Sequence, residues 1–563
     1  MADGKAGNGE APKGTELALA RAEIKRALAK ATTASARLDA LISHPKCEKL
    51  VPTLPAEDLY FTVKDVGLSD SVDLVRLASP EQFRAFVDLD AWRRDQFDAI
   101  TALTWLRAAG TDEGEGRFLK KIHKLDVEVL ELILRNTTHI HDLEEDPDPE
   151  FEGTFFRSTE GRYMIEFKVE GADLVGVKRL LDELYAEDPF MTARLLEALR
   201  WETPSELEET AFRWRSGRMQ DLGFPELQEA LSFFAWLDPD AALPNLDKAP
   251  AVPDSFLLAR VVPQGSFFDR ASALVSDEER SVVERQIVTV LNAVMVVEGV
   301  DPGDLEQAEL VLVAARDTLS LGLEHASKGD LVAASVLLTT ASLKRVFQVG
   351  VSLGLRLKYR ADRLMKTGKA SLPGFKDEPL FDGPLDAVVQ GLRRKRPQLA
   401  VALEDPSAPP ERMRTLRERR DLERAAQALA EAEAIADQMA ALGFEAKAAA
   451  EAAASVRPED SLVHLRFSDF ALTALARELA GEGFGFEPLA AGKLEAFAEK
   501  AFVEEAGRPA LSKAAREALE RKLGKVAFAD VVAARLLEDV GEPWSLRTLS
   551  AEDPLPILLK LKR

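Results

Sequence analysis

His139, His141 and Asp142 stand almost side by side in the chain, and imidazole and carboxylate are common ligands of zinc, manganese and related cations. They lie just past a helical stretch containing His123 and Asp126, and acids with no intervening base run on from Asp142 through Glu144, Glu145, Asp146, Asp148 and Glu150 to Glu152. A divalent-cation sensor would use such a segment. The spacing matches no defined ligand pattern, however, and a histidine near a helix C-terminus is favoured by the helix dipole alone. A solvated, self-repelling loop accounts for the acids equally well.

Other chemistry is harder to find. The nearest approach to a phosphate-binding loop, GEGFGFEPLAAGKLE from Gly481 to Glu495, has Leu494 where a Ser or Thr must follow the lysine, and no strand precedes it. It reads as a loop before a helix. No dinucleotide fingerprint, nucleophile elbow or zinc-protease helix is present. Glu324 and His325 at a helix end, the isolated His464, and Cys47 in a turn after Pro45 read as structural. The aromatic set Trp201, Phe212, Trp214, Phe224, Phe233, Phe234 and Trp236 has roughly helical spacing and reads as core. No cofactor is called for.

The charge balance excludes a further class. Acidic residues outnumber Lys and Arg by 96 to 73, a formal charge of -23, and that field repels phosphate backbones and anionic lipid. The basic clusters, Arg393 to Arg396 and the run Arg412 to Arg420, fall at expected helix ends, where cations complement terminal carbonyls, so nucleic acid is not an expected partner. A single cysteine points to a reducing, cytoplasmic setting. Met1 to Gly14 is Gly-rich and polar, a flexible tail without the apolar centre of a signal peptide. Ile287 to Val297 is too short to cross a bilayer, so no membrane insertion is expected.

These residues must be positioned by helices. With 563 residues, 46% of them hydrophobic, the chain exceeds one core and calls for several helical domains. Pro- and Gly-rich breaks divide it into a tail at 1–14, a solenoid-like domain at 15–240, a linker at 241–255, a long-helix bundle at 256–403, a short acidic linker at 404–410, and an Ala-rich helix with a small helical end domain at 411–563. In the first domain, short helices open alike at Pro55, Ser79, Lys124 and Ala186, as units of a degenerate repeat stacked into a superhelix or simply as helices that all need caps. Ser281 to Met365 reads as three long apolar helices. In the Ala-rich helix, Leu422, Ala425, Leu429, Ala432, Ala436 and Met439 form a seam available for self-association. Ser468 and Ser512 read as helix caps in the end domain.

One segment breaks the helical pattern. Tyr163, Ile165, Phe167 and Val169 alternate with Arg162, Met164, Glu166 and Lys168, the period of a half-buried strand, and Thr154 to Arg157 supplies its partner across a turn at Gly161. The result is a β-hairpin at 152–169 whose aromatic face lies on the helices and whose Arg162, Glu166 and Lys168 face solvent as candidate partner-binding residues.

Ile42 to Trp92, Gly223 to Ala242 and GPLDAVVQGLRRKRP from Gly383 to Pro397 together resemble an uncharacterised bacterial domain-of-unknown-function family spanning nearly the whole chain. The first stretch is also similar to the cytosolic helical N-domain of MgtE-type magnesium transporters, which implies a superhelix of short repeats; magnesium sensing does not follow from it. The expectation is therefore a mainly α protein that acts as a scaffold or regulatory protein by binding other proteins. The alternatives are an enzyme whose site gathers residues distant in sequence, or a divalent-cation sensor.

Overall fold

Helices begin where the sequence supplies caps. The computed structural model describes residues 20, 23, 24, 27, 33–110, 115–150, 153–243, 265–552 and 555–561; the expected tail at 1–14 and most of the linker at 241–255 lie outside them. Three of the four similar openings become α1 (Ala56–Val66), α2 (Pro80–Asp90) and, after α3 (Ala99–Ala109), α4 (Val127–Thr137). α2 starts in a reciprocal capping box, in which Ser79 Oγ accepts from the Gln82 amide at 3.1 Å and Gln82 Oε1 accepts from the Ser79 amide at 2.7 Å. The fourth opening is α5 (Pro189–Trp201), where Asp188 caps the amides of Phe190 and Met191. α6 (Pro204–Asp221) follows. The protein is mainly α-helical, with only small sheets.

Contacts divide the chain into two compact units: residues 1–235, 242–316 and 330–348 in one, and 236–241, 317–329 and 349–563 in the other. In the first, α1 packs on α2, α2 on α3, α3 on α4, and α5 on α4. Neighbour packing is not the whole of it. α6 returns to both α2 and α4, where Arg218 chelates Asp88 at 2.7 and 2.9 Å and reaches Asp126 at 2.7 Å. A one-dimensional repeat array makes no such long-range tie.

The expected three long helices are four. α7 (Asp277–Glu298) and α8 (Leu305–Ala326) are followed by α9 (Leu331–Thr340) and α10 (Leu343–Lys366). Lys328 and Gly329 turn the chain with positive φ, and Asp330 then accepts from the amides of Val332 and Ala333 to start α9. The unexpected break comes at its end, where Ala341 takes extended backbone (φ -100°, ψ 157°) inside what reads as one helix.

The second unit contains α11 (Leu385–Arg393), the short antiparallel pair β4 (Gln398–Ala400) and β5 (Met413–Thr415), α12 (Arg419–Ala441), α13 (Phe467–Leu479), the hairpin β6 (Phe502–Glu505) and β7 (Arg508–Leu511), α14 (Lys513–Leu523) and α15 (Ala527–Leu536); β1 (Thr138–Asp142), β2 (Phe155–Arg157) and β3 (Tyr163–Phe167) form a three-stranded sheet of the first unit. α13 is buried continuously from Phe467 to Ala476 and packs on both α14 and α15. Ser512 caps α14 as expected, accepting from the Ala515 amide at 3.1 Å. Ser468 does not cap α13. The helix starts one residue earlier, Asp469 takes the Arg466 amide at 2.7 Å, and the Ser468 hydroxyl points to Asp382 instead.

The Ala-rich seam of α12 is already buried within this unit at Ala425, Leu429, Ala432, Ala436 and Met439, so self-association would require another face. The run Arg412 to Arg420 precedes the N-terminus of α12, where the dipole disfavours cations. Carboxylates compensate: Arg414 holds Asp421 in a two-toothed pair at 2.6 and 2.7 Å and also meets Glu404.

Glu57, in the first turn of α1, is 5% exposed, and its Oε2 has no hydrogen-bond donor. Desolvation pushes its pKa from 4.5 up to about 7 against the pull of a backbone hydrogen bond. A carboxyl whose folded pKa is raised stabilises the fold fully below its unfolded value, and that contribution is lost as pH rises through the folded one. Glu57→Gln should therefore stabilise the protein at about pH 8, by on the order of 3 kcal/mol at most, and change little at about pH 4. Thermal melts of the two proteins across that range check it.

Candidate functional site

The residues singled out for chemistry meet on one small sheet. The chain leaves α4 directly into β1 (Thr138–Asp142), which pairs antiparallel with β3 (Tyr163–Phe167), whose other edge pairs with β2 (Phe155–Arg157). The expected hairpin is thus the β2–β3 part of a three-stranded sheet, with Gly161 at φ 80° in the turn and Tyr163, Ile165 and Phe167 buried. The additional strand contains the histidines. Thr138, Ile140 and Asp142 lie opposite Phe167, Ile165 and Tyr163, while His139 and His141 lie opposite Glu166 and Met164.

Alternation along β1 separates the candidate metal ligands. His139 and His141 share one face, their ring centroids 4.5 Å apart, and His141 Nε2 lies 3.1 Å from a Glu166 carboxylate oxygen. Burial, then His141 and Lys168, lower the pKa of His139. Asp142 belongs to the other face with its side chain 1% exposed. Among the described residues no group of three His, Cys, Asp or Glu is gathered as for a metal ion.

Asp142 is the centre of an ionic network. Arg162 donates to its Oδ2 from Nε at 3.1 Å and Nη2 at 2.8 Å, Arg200 donates to the same oxygen at 2.7 Å, and the Glu144 amide donates to Oδ1 at 3.0 Å. The Arg162 hydrogen bonds hold the Asp142 carboxyl below the usual range. Glu197 on α5 receives the Tyr163 hydroxyl, Arg162 at 3.3 Å and Arg200 at 3.4 Å; its pKa is lowered chiefly by the Tyr163 hydrogen bond, while burial and then Glu197 raise that of the phenol. Arg200 also pairs with Glu145. Carboxylates stay charged, the phenol stays protonated, and both arginines are spent on partners. The acidic segment is therefore neutralised at Asp142 and Glu145.

The partner-binding candidates differ from the expected free charged face. Arg162 and Glu166 are half-buried and paired, and Lys168, though exposed, donates to the Arg135 carbonyl at 3.0 Å near the end of α4. The third strand is the physical reason for the first two, because it sets His141 beside Glu166 on one face and Asp142 beside Arg162 on the other.

Sequence reasoning placed Trp201 in the core, and the structure places it outside. Trp201 is 70% exposed, and Trp214 and Trp236 are also exposed, whereas Phe224 and Phe233 are buried as expected. Trp201 is nevertheless fixed: its indole Nε1 donates to Glu197 Oε1 at 3.0 Å, and the Arg200 guanidinium lies 5.6 Å from its ring centre. Helical spacing alone could not reveal this. The i, i+4 pair Glu197 and Trp201 is the local signal.

A family model described as a family of unknown function, DUF6178, matches residues 14–552. The chain belongs to this family. No curated protein and no solved structure matches it, and the comparisons lend no support to the magnesium-transporter resemblance. DUF6178 membership brings no activity to the site, so its function is argued from geometry alone. Among the described residues, no helix is long and apolar enough to cross a membrane.

If Asp142 organises this sheet, Asp142→Asn should cost on the order of 2 kcal/mol by removing the buried charge between Arg162 and Arg200, which keep only Glu197 as a common charged acceptor. The double variant His139→Ala, His141→Ala should cost about half of that or less, since those rings lie at a half-open face. Denaturant unfolding of the three proteins measures both.

Proposed function

We propose that the chain is a cytoplasmic helical scaffold or regulatory protein that binds another protein through the face shared by β3 and α5 in its N-terminal unit. Trp201 carries this reading. A large aromatic that is 70% exposed yet held by a hydrogen bond and an arginine has already lost the side-chain entropy that binding would otherwise cost. Tryptophan and arginine are the residues on which interface energy concentrates. Phe190 and Met191, also exposed, stand at the start of the same helix, and Lys168 contributes a charge from the end of β3.

The divalent-cation alternative loses ground because its three candidate ligands lie on two faces of β1. An enzymatic use of the sheet would need a nucleophile or base free to react, and the carboxylates and phenol there are engaged with one another or with arginines. The surface suits recognition.

Affinity capture from native extract, quantified by mass spectrometry, tests the proposal with the full-length chain. Trp201→Ala and Lys168→Glu should each reduce recovery of the same partner about tenfold or more, with thermal midpoints close to that of the parent because both side chains are exposed. Unchanged recovery with Trp201→Ala would refute the reading.

A further inference from the structure

A cleft of about 340 Å3 opens in the C-terminal unit, and its polar walls differ in kind. One wall is internally satisfied. Arg535 on α15 donates to Asp469 Oδ1 at 2.9 Å and to Asp539 Oδ2 at 3.2 Å, and it meets the Ser468 hydroxyl, which donates in turn to Asp382. Asp539 is presented by a single π-helical turn, Leu537–Gly541, a local distortion found disproportionately at functional sites. The other wall is not satisfied in this way. Arg457 donates from Nη2 to the Leu555 carbonyl and forms no ion pair among the described residues, so one bond fixes the guanidinium while the rest of its donor fork has no carboxylate. His464 also lines the cleft, and among the described residues it makes no hydrogen bond, ion pair or ring contact through its side chain.

In a chain with 96 acids and a formal charge of -23, Arg457 faces this cleft with no ion pair among the described residues, while the cleft's own carboxylates, Asp469 and Asp539, are engaged by Arg535. The local structure favours an oxyanion from outside the chain. We propose that this cleft binds a small metabolite through one carboxylate or phosphate group, received by Arg457 and His464. Carboxylate and phosphate share the geometry that an arginine fork recognises. The volume is at the lower end of the range for small-ligand sites, about 300 to 1,000 Å3, and suits a metabolite better than a macromolecule. Asp469 and Asp539, which also line the cleft, would repel a second anionic group, so the ligand class is a compact one with a single oxyanion rather than a polyphosphate. This site is independent of the protein-binding face around Trp201.

The test uses the whole protein and two probes, inorganic phosphate and succinate monomethyl ester, against sodium chloride at matched ionic strength. Calorimetric titration should show saturable binding of at least one probe at about millimolar concentration, together with a rise in thermal midpoint beyond that given by chloride. Arg457→Lys should weaken it about tenfold, since a point charge does not replace the fork. His464→Gln keeps the fold under control, because this side chain is exposed and touches nothing that Gln could disrupt; it should also weaken binding about fivefold or more at an unchanged midpoint in the absence of ligand. The proposal is overturned if neither probe binds at up to about 10 mM, or if both variants bind as the parent does.

Discussion

The N-terminal unit depends on two aspartates set two positions apart on α2. In a helix, side chains at that spacing diverge by about 200°, so Asp88 and Asp90 must serve different neighbours. Asp88 draws in α6 through Arg218, and its own backbone carbonyl accepts from Arg215 at 2.7 Å. Asp90 faces the aromatic centre, accepting from Tyr60 at 3.0 Å, Lys64 at 2.9 Å and the Trp105 indole at 2.8 Å. Burial pushes the Asp88 carboxyl up and the Arg218 hydrogen bonds oppose it. A buried carboxylate tolerates that position only with its donors in place, so each aspartate fixes the register of the helices around it.

The constraint extends to residues far along the chain. A Cβ on Gly303 would come within 2.4 Å of Asp90 Oδ1 and 2.7 Å of the Tyr60 hydroxyl, so the loop after α7 approaches this polar centre only because position 303 has no side chain. Arg93 pairs with Asp301 in the same loop. Polar satisfaction, more than continuation of a repeat, thus decides which helices meet here. Apolar stripes bring helices together with little preference for one partner, and the directional bonds of Asp88 and Asp90 supply the choice.

Legibility in the sequence followed the range of the interaction. Caps and periods are local, so α1, α2, α4, α5, α14 and the β2–β3 hairpin could be anticipated from Pro55, Ser79, Lys124, Ala186, Ser512 and the alternation around Tyr163. β1 was hidden, although Thr138, Ile140 and Asp142 alternate with His139 and His141, because five residues following a helix without a break read as its frayed end. The break between α9 and α10 at Ala341 was hidden, because no Gly or Pro marks it. The networks were hidden altogether: Asp142 with Arg200, Asp88 with Arg218 and Asp382 with Ser468 join residues 58, 130 and 86 positions apart, and no period or motif marks such pairs. The candidate residues lie on one small sheet, but the contacts they make follow from its third strand.

The same networks bear on how so acidic a chain can present binding surfaces. Carboxylates at Asp142, Asp88 and Asp421 are each engaged by arginines, so the negative charge that reaches solvent comes from other acids. A net negative field steers basic partners over distances of a Debye length, but it cannot choose among them. Discrimination needs fixed short-range features. Trp201, clamped between Glu197 and Arg200, is one of these, and a partner that covered it would also have to accept the acidic segment beginning at Glu144. A basic surface with an apolar recess meets both requirements, whereas a neutral apolar surface would bury acids without compensation.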